Sequence, residues 1–277
     1  MFPILIDLGR HELPWLGERH LFLPTYGLLF AAGVVLAWIW FTRRARTLGL
    51  PEERLFNLTF YSVLAGILGA KVLLIALDWR EYLASPMAIL GTLRSAGVLM
   101  GGVAAGGATF ILYARHFGLP LWRLADAIAA PLALAQAVGR LGCYSAGCCW
   151  GVRLDPAHPL AVVFADPQAN AQTGVSLGVP LFPTQLLEMT YDLLLAALLT
   201  VLWRRGVRPP GTVFWLYVLL YSAARAVIEH WRGDTRRGLF LGDAVSTSQL
   251  LSVAAILLAA VMLSRAWRGR AAGAAAS

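Results

Sequence analysis

Charge is what this 277-residue sequence lacks: 14% of it is Asp, Glu, Lys or Arg, against 58% hydrophobic residues and a mean hydropathy of +0.67. A soluble domain carries roughly 25% charged residues, so there is too little polar surface here to coat a globule in water. Cysteine is scarce as well. Cys143, Cys148 and Cys149 are the only three, crowded into one short stretch, and an odd, clustered set argues against a disulfide framework. A cleavable leader is also missing from the expected organisation. Asp7 interrupts the first apolar run, Arg10, His11 and Glu12 follow it, and no basic stretch precedes it. Residues 1–23 instead read as an interfacial segment, with Ile4, Leu5, Ile6, Leu8, Leu13, Trp15 and Leu16 interleaved with charges.

The net charge of +8 and pI near 9.9 raise nucleic acid as a partner. That reading fails, because much of the arginine sits in short loops between apolar segments and forms no continuous basic face. Anionic lipid and the lipid bilayer are the expected partners.

A helix needs about 20 apolar residues to cross a hydrocarbon core. Seven segments qualify: 24–42, 55–77, 96–115, 121–140, 184–203, 211–229 and 244–264. Backbone groups in lipid require helices or a closed barrel, and runs of this length without period-two alternation exclude the barrel. The expected fold is all-α: a single polytopic membrane helix bundle spanning 1–277, with about seven transmembrane helices. Alternate loops collect Arg43, Arg44, Arg46 and Arg54, then Arg115 and Arg123, then Arg204, Arg205 and Arg208, then Arg265, Arg268 and Arg270. The intervening loops mix signs, so the positive-inside rule puts the N-terminus outside and the C-terminus in the cytoplasm. The outer side also receives the longest loop, 141–183, where Pro156, Pro159, Pro167 and Pro180 forbid continuous helix.

Charges inside spans are costly, at roughly 2.5–3.5 kcal/mol each on insertion scales, and call for a reason. Lys71, Asp126, Arg140, Glu188, Asp192, Arg225 and Glu229 lie in or at the ends of the expected spans. Lys71 and Asp192 suit simple pairing or snorkelling. Arg140, at the end of the fourth span, and Arg225, inside the sixth, both fall towards the outer half of the membrane. Arg225, Glu229 and Arg232 follow helical spacing, which predicts one charged stripe pointing into the bundle. A guanidinium is always charged and offers planar, bidentate donors suited to phosphate. Two converging arginines at outer-leaflet depth therefore suggest a phospholipid headgroup site, with structural ion pairs as the alternative. Tyr221, one turn before Arg225, can direct its phenol at the same phosphate, whereas Tyr26 has the position of an interfacial anchor. Gly97, Gly101, Gly102, Gly106 and Gly107 give overlapping small-xxx-small spacings. These serve close helix packing, approach of a headgroup to bare backbone, or both.

The stretch Cys143-Tyr-Ser-Ala-Gly-Cys148-Cys149-Trp-Gly151 allows three readings. Adjacent cysteines chelate poorly and no further ligand stands at metal spacing, so no metal is expected. A redox site lacks the C-x-x-C pattern. A tight turn of small side chains that positions Arg140 is the plainest reading.

At these residues a resemblance appears. The block from Gly139-Arg140 to Trp150-Gly151 resembles the central motif of the prolipoprotein diacylglyceryl transferases of bacterial inner membranes. In order along the chain, Tyr26-Gly27, Gly101-Gly102, Asp126 with Ala130-Pro131, Pro183-Thr-Gln185-Leu-Leu-Glu188, Arg225-x-x-Ile-Glu229-x-x-Arg232 and Ser246-Thr-Ser-Gln249 agree with the same family. The resemblance covers about residues 24 to 264. It implies transfer of the diacylglyceryl group of phosphatidylglycerol to the lipobox cysteine of a preprolipoprotein signal peptide, forming a thioether and releasing glycerol phosphate. It implies catalytic roles for Arg140, Arg225 and Glu229, and substrate binding by Tyr26, Gly101, Gly102, Gly151, Glu188, Tyr221 and Arg232, with no metal or organic cofactor. Two departures stand out. Met100 takes the place before the paired glycines where many members carry an aromatic residue or histidine. Cys143, Ala146 and Cys148 stand where many carry asparagines and an acidic residue. Methionine accepts no proton, so a histidine route for deprotonating the substrate thiol is closed at that position. Two other classes compete with the enzyme: a non-catalytic phospholipid-binding or lipid-moving protein on the same scaffold, and a membrane thiol oxidoreductase using the three cysteines.

Overall fold

The computed structural model of the protein describes residues 2–13, 17–85, 89, 92, 97–234, 239–240 and 245–275. Trp15 and Leu16 of the expected interfacial segment, and residues 96 and 244 at the edges of two expected spans, lie outside the described residues.

The N-terminal segment, short apolar runs broken by charges, is extended rather than helical. Ile4–Leu13 (β1) and Gly17–Pro24 (β2) form an antiparallel hairpin. Gly9, at φ +80°, sits where its register slips, with its N–H bonded to Asp7 Oδ1 at 2.8 Å. Helices then dominate. They are α1 (Thr25–Arg46), α2 (Glu52–Leu77), the short α3 (Trp79–Ala84), α4 (Leu99–His116) and α5 (Leu121–Ala146). After the two-residue strand β3 (Val162–Val163), the short α6 (Pro167–Thr173) and β4 (Pro180–Leu181) come α7 (Thr184–Arg204) and α8 (Thr212–Ile228). A 3-10 turn, Glu229–Trp231, continues α8. Strands β5 (Leu239–Phe240) and β6 (Val245–Ser246) lead into α9 (Thr247–Ala275). The motif Ser246-x-x-Gln249 caps α9 reciprocally: Gln249 N–H donates to Ser246 Oγ at 3.2 Å, and Ser246 N–H to Gln249 Oε1 at 3.0 Å. The chain is mostly helical, as expected, and among the described residues three small two-stranded ladders accompany the helices.

Among the described residues six helices are long and apolar enough to cross a membrane: α1, α2, α5, α7, α8 with its 3-10 turn, and α9. The expected span 96–115 is α4, 18 residues that end on Arg115 and His116, and it falls short of that measure. The six carry apolar side chains outward, among them Val35, Leu36, Ile39, Ile67, Val72, Leu194, Leu198 and Leu257, and bury Asp126, Glu188, Asp192 and Glu229. This distribution is inverted relative to a protein in water and suits lipid as the solvent. The protein is a multi-pass membrane protein.

The chain forms two compact units, one made of the residues up to Trp40 with those from Ala125 onward, the other of Phe41–Leu124. In the first, α5 presents a seam of buried alanines, Ala125, Ala127, Ala129, Ala130, Ala133 and Ala137. Small side chains let neighbouring helices come close. Gly33 of α1 lies so near that a methyl group there would meet Ala135 O at 3.0 Å, and Leu195, Ala196 and Leu199 of α7 with Val213 and Tyr217 of α8 complete one core with Ala129, Ala130 and Ala133. Asp126 fixes the start of α8, accepting N–H bonds from Gly211 at 2.6 Å and Phe214 at 2.9 Å. Higher up, Tyr217 donates to Gln136 at 2.9 Å, and Tyr191 of α7 donates to Leu220 O at 2.7 Å.

In the second unit α2 packs on α4 through glycine. A methyl group at Gly101 would fall 2.6 Å from Leu73 Cβ and closer still to the Gly69 carbonyl, and one at Gly106 would fall 2.9 Å from Ser62 O. Gly107 faces open space. Gly97, at φ +76°, starts the approach to α4, with Val98 N–H bonded to Ala70 O at 2.9 Å. Lys71 Nζ donates to Thr92 O, so its charge is met inside the unit. We predict that Gly101→Val destabilises the protein by about 1–3 kcal/mol through overpacking, while Gly107→Ala does not, as read from thermal midpoints in detergent.

Candidate active site

The fourth span was expected to end at Arg140, but α5 runs on to Ala146. No proline interrupts Leu141-Gly142-Cys143-Tyr144-Ser145-Ala146, and the stop comes only at Gly147, which adopts φ +74°. Cys148 N–H bonds Cys143 O at 3.1 Å and Gly147 N–H bonds Tyr144 O at 3.2 Å, the two bonds of a Schellman cap. Arg140 is therefore an interior helix residue, rigidly carried. Gly142, two residues on, makes room for Tyr26: a methyl group at Gly142 would lie 3.2 Å from Tyr26 Cδ2.

Three helices bring their charges to one point. Arg140 Nη2 of α5 lies 2.5 Å from Glu188 Oε2 of α7, and Arg225 Nη1 of α8 lies 3.7 Å from Glu188 Oε1. Arg225 Nη1 also pairs with Glu229 Oε2 at 2.6 Å, the expected i,i+4 contact. The arginine side chains are 18% and 13% exposed, and the carboxylate residues are buried. Beside them a cavity of about 10 Å³ is lined by Glu188, Tyr191, Asp192, Tyr221, Ala224, Arg225 and Ile228. That volume holds about one water. Glu188 stands between the two arginines, in contact with both. The reason is electrostatic: two guanidiniums in a low-dielectric interior repel, and a carboxylate between them offsets the repulsion. Each ion pair engages one terminal nitrogen of its guanidinium, and a guanidinium carries five N–H donors.

Asp192, for which simple pairing or snorkelling was expected, is 1% exposed, and its Oδ2 has no hydrogen-bond partner among the described residues. It stands one turn beyond Glu188 on α7 and faces the same cavity. The signal was available in sequence, since an acidic residue four after Glu188 shares its face. Tyr221 lines the same cavity. Tyr26 stacks on Phe30, with ring centroids 6.2 Å apart, and packs against Gly142, two residues past Arg140.

Arg232 does not join the stripe. The helix gives way to the 3-10 turn at Glu229, and Arg232 is extended, at φ −74° and ψ 132°. Its guanidinium forks onto Asp234, Nε to Oδ1 and Nη2 to Oδ2, each at 2.6 Å. Burial works against its charge, but the Asp234 carboxylate, with Cys149 nearby, holds the Arg232 pKa above its ordinary value. Arg232 is placed by Gly151, with which it forms an antiparallel bridge. Around that glycine three segments interlock: Gly151 N–H bonds Phe182 O at 2.9 Å, Val152 N–H bonds Trp231 O at 2.8 Å and Gly233 N–H bonds Trp150 O at 3.0 Å. A methyl group on Gly151 would sit 2.5 Å from Phe182 O and 2.7 Å from Trp231 O. The glycine is thus required by backbone packing. Gly101 and Gly102 belong to the other unit, where the backbone of α2 occupies the space beside them.

Comparison with known proteins bears on this arrangement. The model of a family described as prolipoprotein diacylglyceryl transferase matches residues 19–265. The chain belongs to that family. It is 34% identical over 236 residues to a protein of Clostridium tetani named phosphatidylglycerol–prolipoprotein diacylglyceryl transferase, covering 84% of this chain and 89% of the relative. A Clostridium perfringens relative with that name is 33% identical over 86% of this chain and 89% of its own length. One from Synechococcus elongatus is 30% identical over 92% and 83%. Within this family member, the three-helix ion-pair cluster lies between Arg140, Glu188, Arg225 and Glu229, four positions that sequence alone had marked. We predict that Glu188→Gln lowers stability by about 3 kcal/mol, because removing one partner of a buried pair leaves charge uncompensated. Thermal unfolding in detergent measures it, and a midpoint equal to wild type would show that Glu188 does not hold the two arginines together.

Proposed function

We propose that this protein transfers the diacylglyceryl group of phosphatidylglycerol to the lipobox cysteine of preprolipoprotein signal peptides, in the bacterial inner membrane. One observation carries the reading: Arg140 and Arg225, from different helices, converge on a single carboxylate inside a membrane bundle. The names of the relatives state this chemistry for them. With α4 counted as a seventh crossing and basic loops inside, the N-terminus lies outside and the site falls towards the outer leaflet.

In this mechanism the phosphodiester of the lipid takes N–H donors from both guanidiniums, displacing Glu188 from between them. The substrate thiol gives up its proton, and its sulfur attacks the glyceryl carbon that bears the phosphate ester. A carbon–sulfur bond forms, the carbon–oxygen bond breaks, and the electron pair leaves on glycerol phosphate. Negative charge grows on that leaving group, where preorganised guanidiniums stabilise it most in a low-dielectric cavity. Only the thiolate attacks well. Glu188, Glu229 and Asp192 outnumber the two arginines, and a carboxylate released from its guanidinium by the incoming phosphate is a suitable proton acceptor. In this reading Tyr221 and Tyr26 border the headgroup, while Arg232, placed by Gly151 and neutralised by Asp234, shapes the wall beside it.

The test is incubation of purified protein with phosphatidylglycerol and a lipobox peptide, weighing the peptide for an added diacylglyceryl group. Arg140→Ala and Arg225→Ala are each expected to slow transfer by at least about 100-fold while eluting as folded protein. Transfer at the wild-type rate in either variant rejects the assignment. Lipid movement between leaflets without peptide modification would favour a lipid-moving protein instead.

A further inference from the structure

The three cysteines take no part in the reaction proposed above, yet they converge. The Sγ atoms of Cys143, Cys148 and Cys149 all lie within 4.8 Å of one another, and all three are free thiols, partly buried. Two features of the backbone produce this. The Schellman cap folds Cys148 back over the last turn of α5, so its thiol lies 3.6 Å from Cys143 O. Cys149 then adopts φ +61°, a left-handed conformation that non-glycine residues seldom take. It turns the side chain of Cys149 to the same side as that of its neighbour, which removes the usual objection that consecutive cysteines point apart. The turn is pinned from α7 by two buried side chains. Gln185 Nε2 donates to Cys148 O at 2.7 Å and Thr184 Oγ1 to Cys149 O at 2.5 Å. The sulfurs thus sit on a braced scaffold.

We propose that Cys143, Cys148 and Cys149 form a three-thiolate binding site for a soft monovalent cation, Cu(I). Thiolate sulfur selects soft ions. A metal–sulfur distance of about 2.3 Å places three sulfurs around a trigonal ion about 4 Å apart, inside the limit seen here. Among the described residues no histidine or carboxylate joins the three sulfurs within that limit, so a fourth protein ligand of the kind Zn(II) takes in closed sites is not supplied. Each ligating thiol releases its proton to solvent. Arg140 and Arg232, although paired with Glu188 and Asp234, are the cations nearest in influence to Cys149 and moderate the negative charge that remains. Because Cys143 lies one turn beyond Arg140 on α5, an ion here would also adjoin the ion-pair cluster.

Full-length protein, purified in detergent with its thiols reduced, is titrated with Cu(I) in competition with bathocuproine disulfonate. The expected result is one Cu(I) withdrawn from the chelator per chain, with X-ray absorption giving about three sulfur neighbours near 2.3 Å. Replacing all three cysteines by serine abolishes the withdrawal, and each single serine variant weakens it at least about 10-fold, so a triple variant that failed to fold would not decide the matter. Four outcomes overturn the proposal: no withdrawal by wild type, withdrawal unchanged in the single variants, Zn(II) displacing the copper at equal concentration, or two thiols already joined as a disulfide in freshly purified protein. Transfer activity is not read in this experiment, so its result stands whether or not the proposed reaction does.

Discussion

The centre of the molecule depends on one carboxylate standing between two guanidiniums. Without Glu188, Arg140 and Arg225 would face each other across a medium that screens poorly, and the helices carrying them would separate or tilt. With it, α5, α7 and α8 are tied at a single point by charge, at the end opposite to the one that Asp126 and the Leu199–Val213 packing fix by hydrogen bonds and close contact. Alanine along α5 makes this arrangement feasible, because bulkier residues at Ala129, Ala130 or Ala133 would hold α7 and α8 too far away for their side chains to reach Arg140. Composition, helix separation and charge placement are therefore one design read at three scales.

Much of this was legible in the chain itself. Hydropathy located the helices because lipid demands long apolar runs, and the charges left inside those runs marked the cluster because each needs a partner there. The i,i+4 spacing of Arg225 and Glu229 gave their contact outright. What was not legible came from backbone events with no strong local signature. Nothing in Ile228-Glu229-His230 announces that the helix loosens into a 3-10 turn, and this event alone swings Arg232 off the stripe and onto Asp234. The continuation of α5 past Arg140 was not legible, because glycine is a poor helix former and stands at both 139 and 142; Gly142 packs closely on Tyr26, whereas Gly139 faces open space. That Glu188 would occupy the space between the arginines followed from no pairwise rule, since two positive groups and several carboxylates admit many pairings and only the fold selects one.

Glycine illustrates how one residue type answers different demands. At Gly147 the chain needs a left-handed residue to finish a helix. At Gly151 it needs the absence of a side chain where three strands of backbone cross. A glycine in a family motif can thus reflect backbone geometry, here the crossing that places Arg232.

The buried carboxylates of this bundle fall into two kinds, and the difference lies in what they bind. Asp126 accepts two backbone N–H groups at the start of α8. Those donors are fixed in place by the peptide chain, so the bond can be broken only by moving a helix, and the residue behaves as a structural pin. Glu188 and Glu229 hold guanidiniums, which sit on flexible stems and bind a phosphate as readily as a carboxylate. In the proposed reaction such a pair is exchanged: the arriving phosphodiester would take the arginine and release a carboxylate next to it. Burial by itself does not distinguish a pin from a working group. The mobility of the partner does, and by that measure the pairs around Arg140 and Arg225, with the Oδ2 of Asp192 beside them lacking a hydrogen-bond partner among the described residues, are where charge can be rearranged without unfolding the bundle.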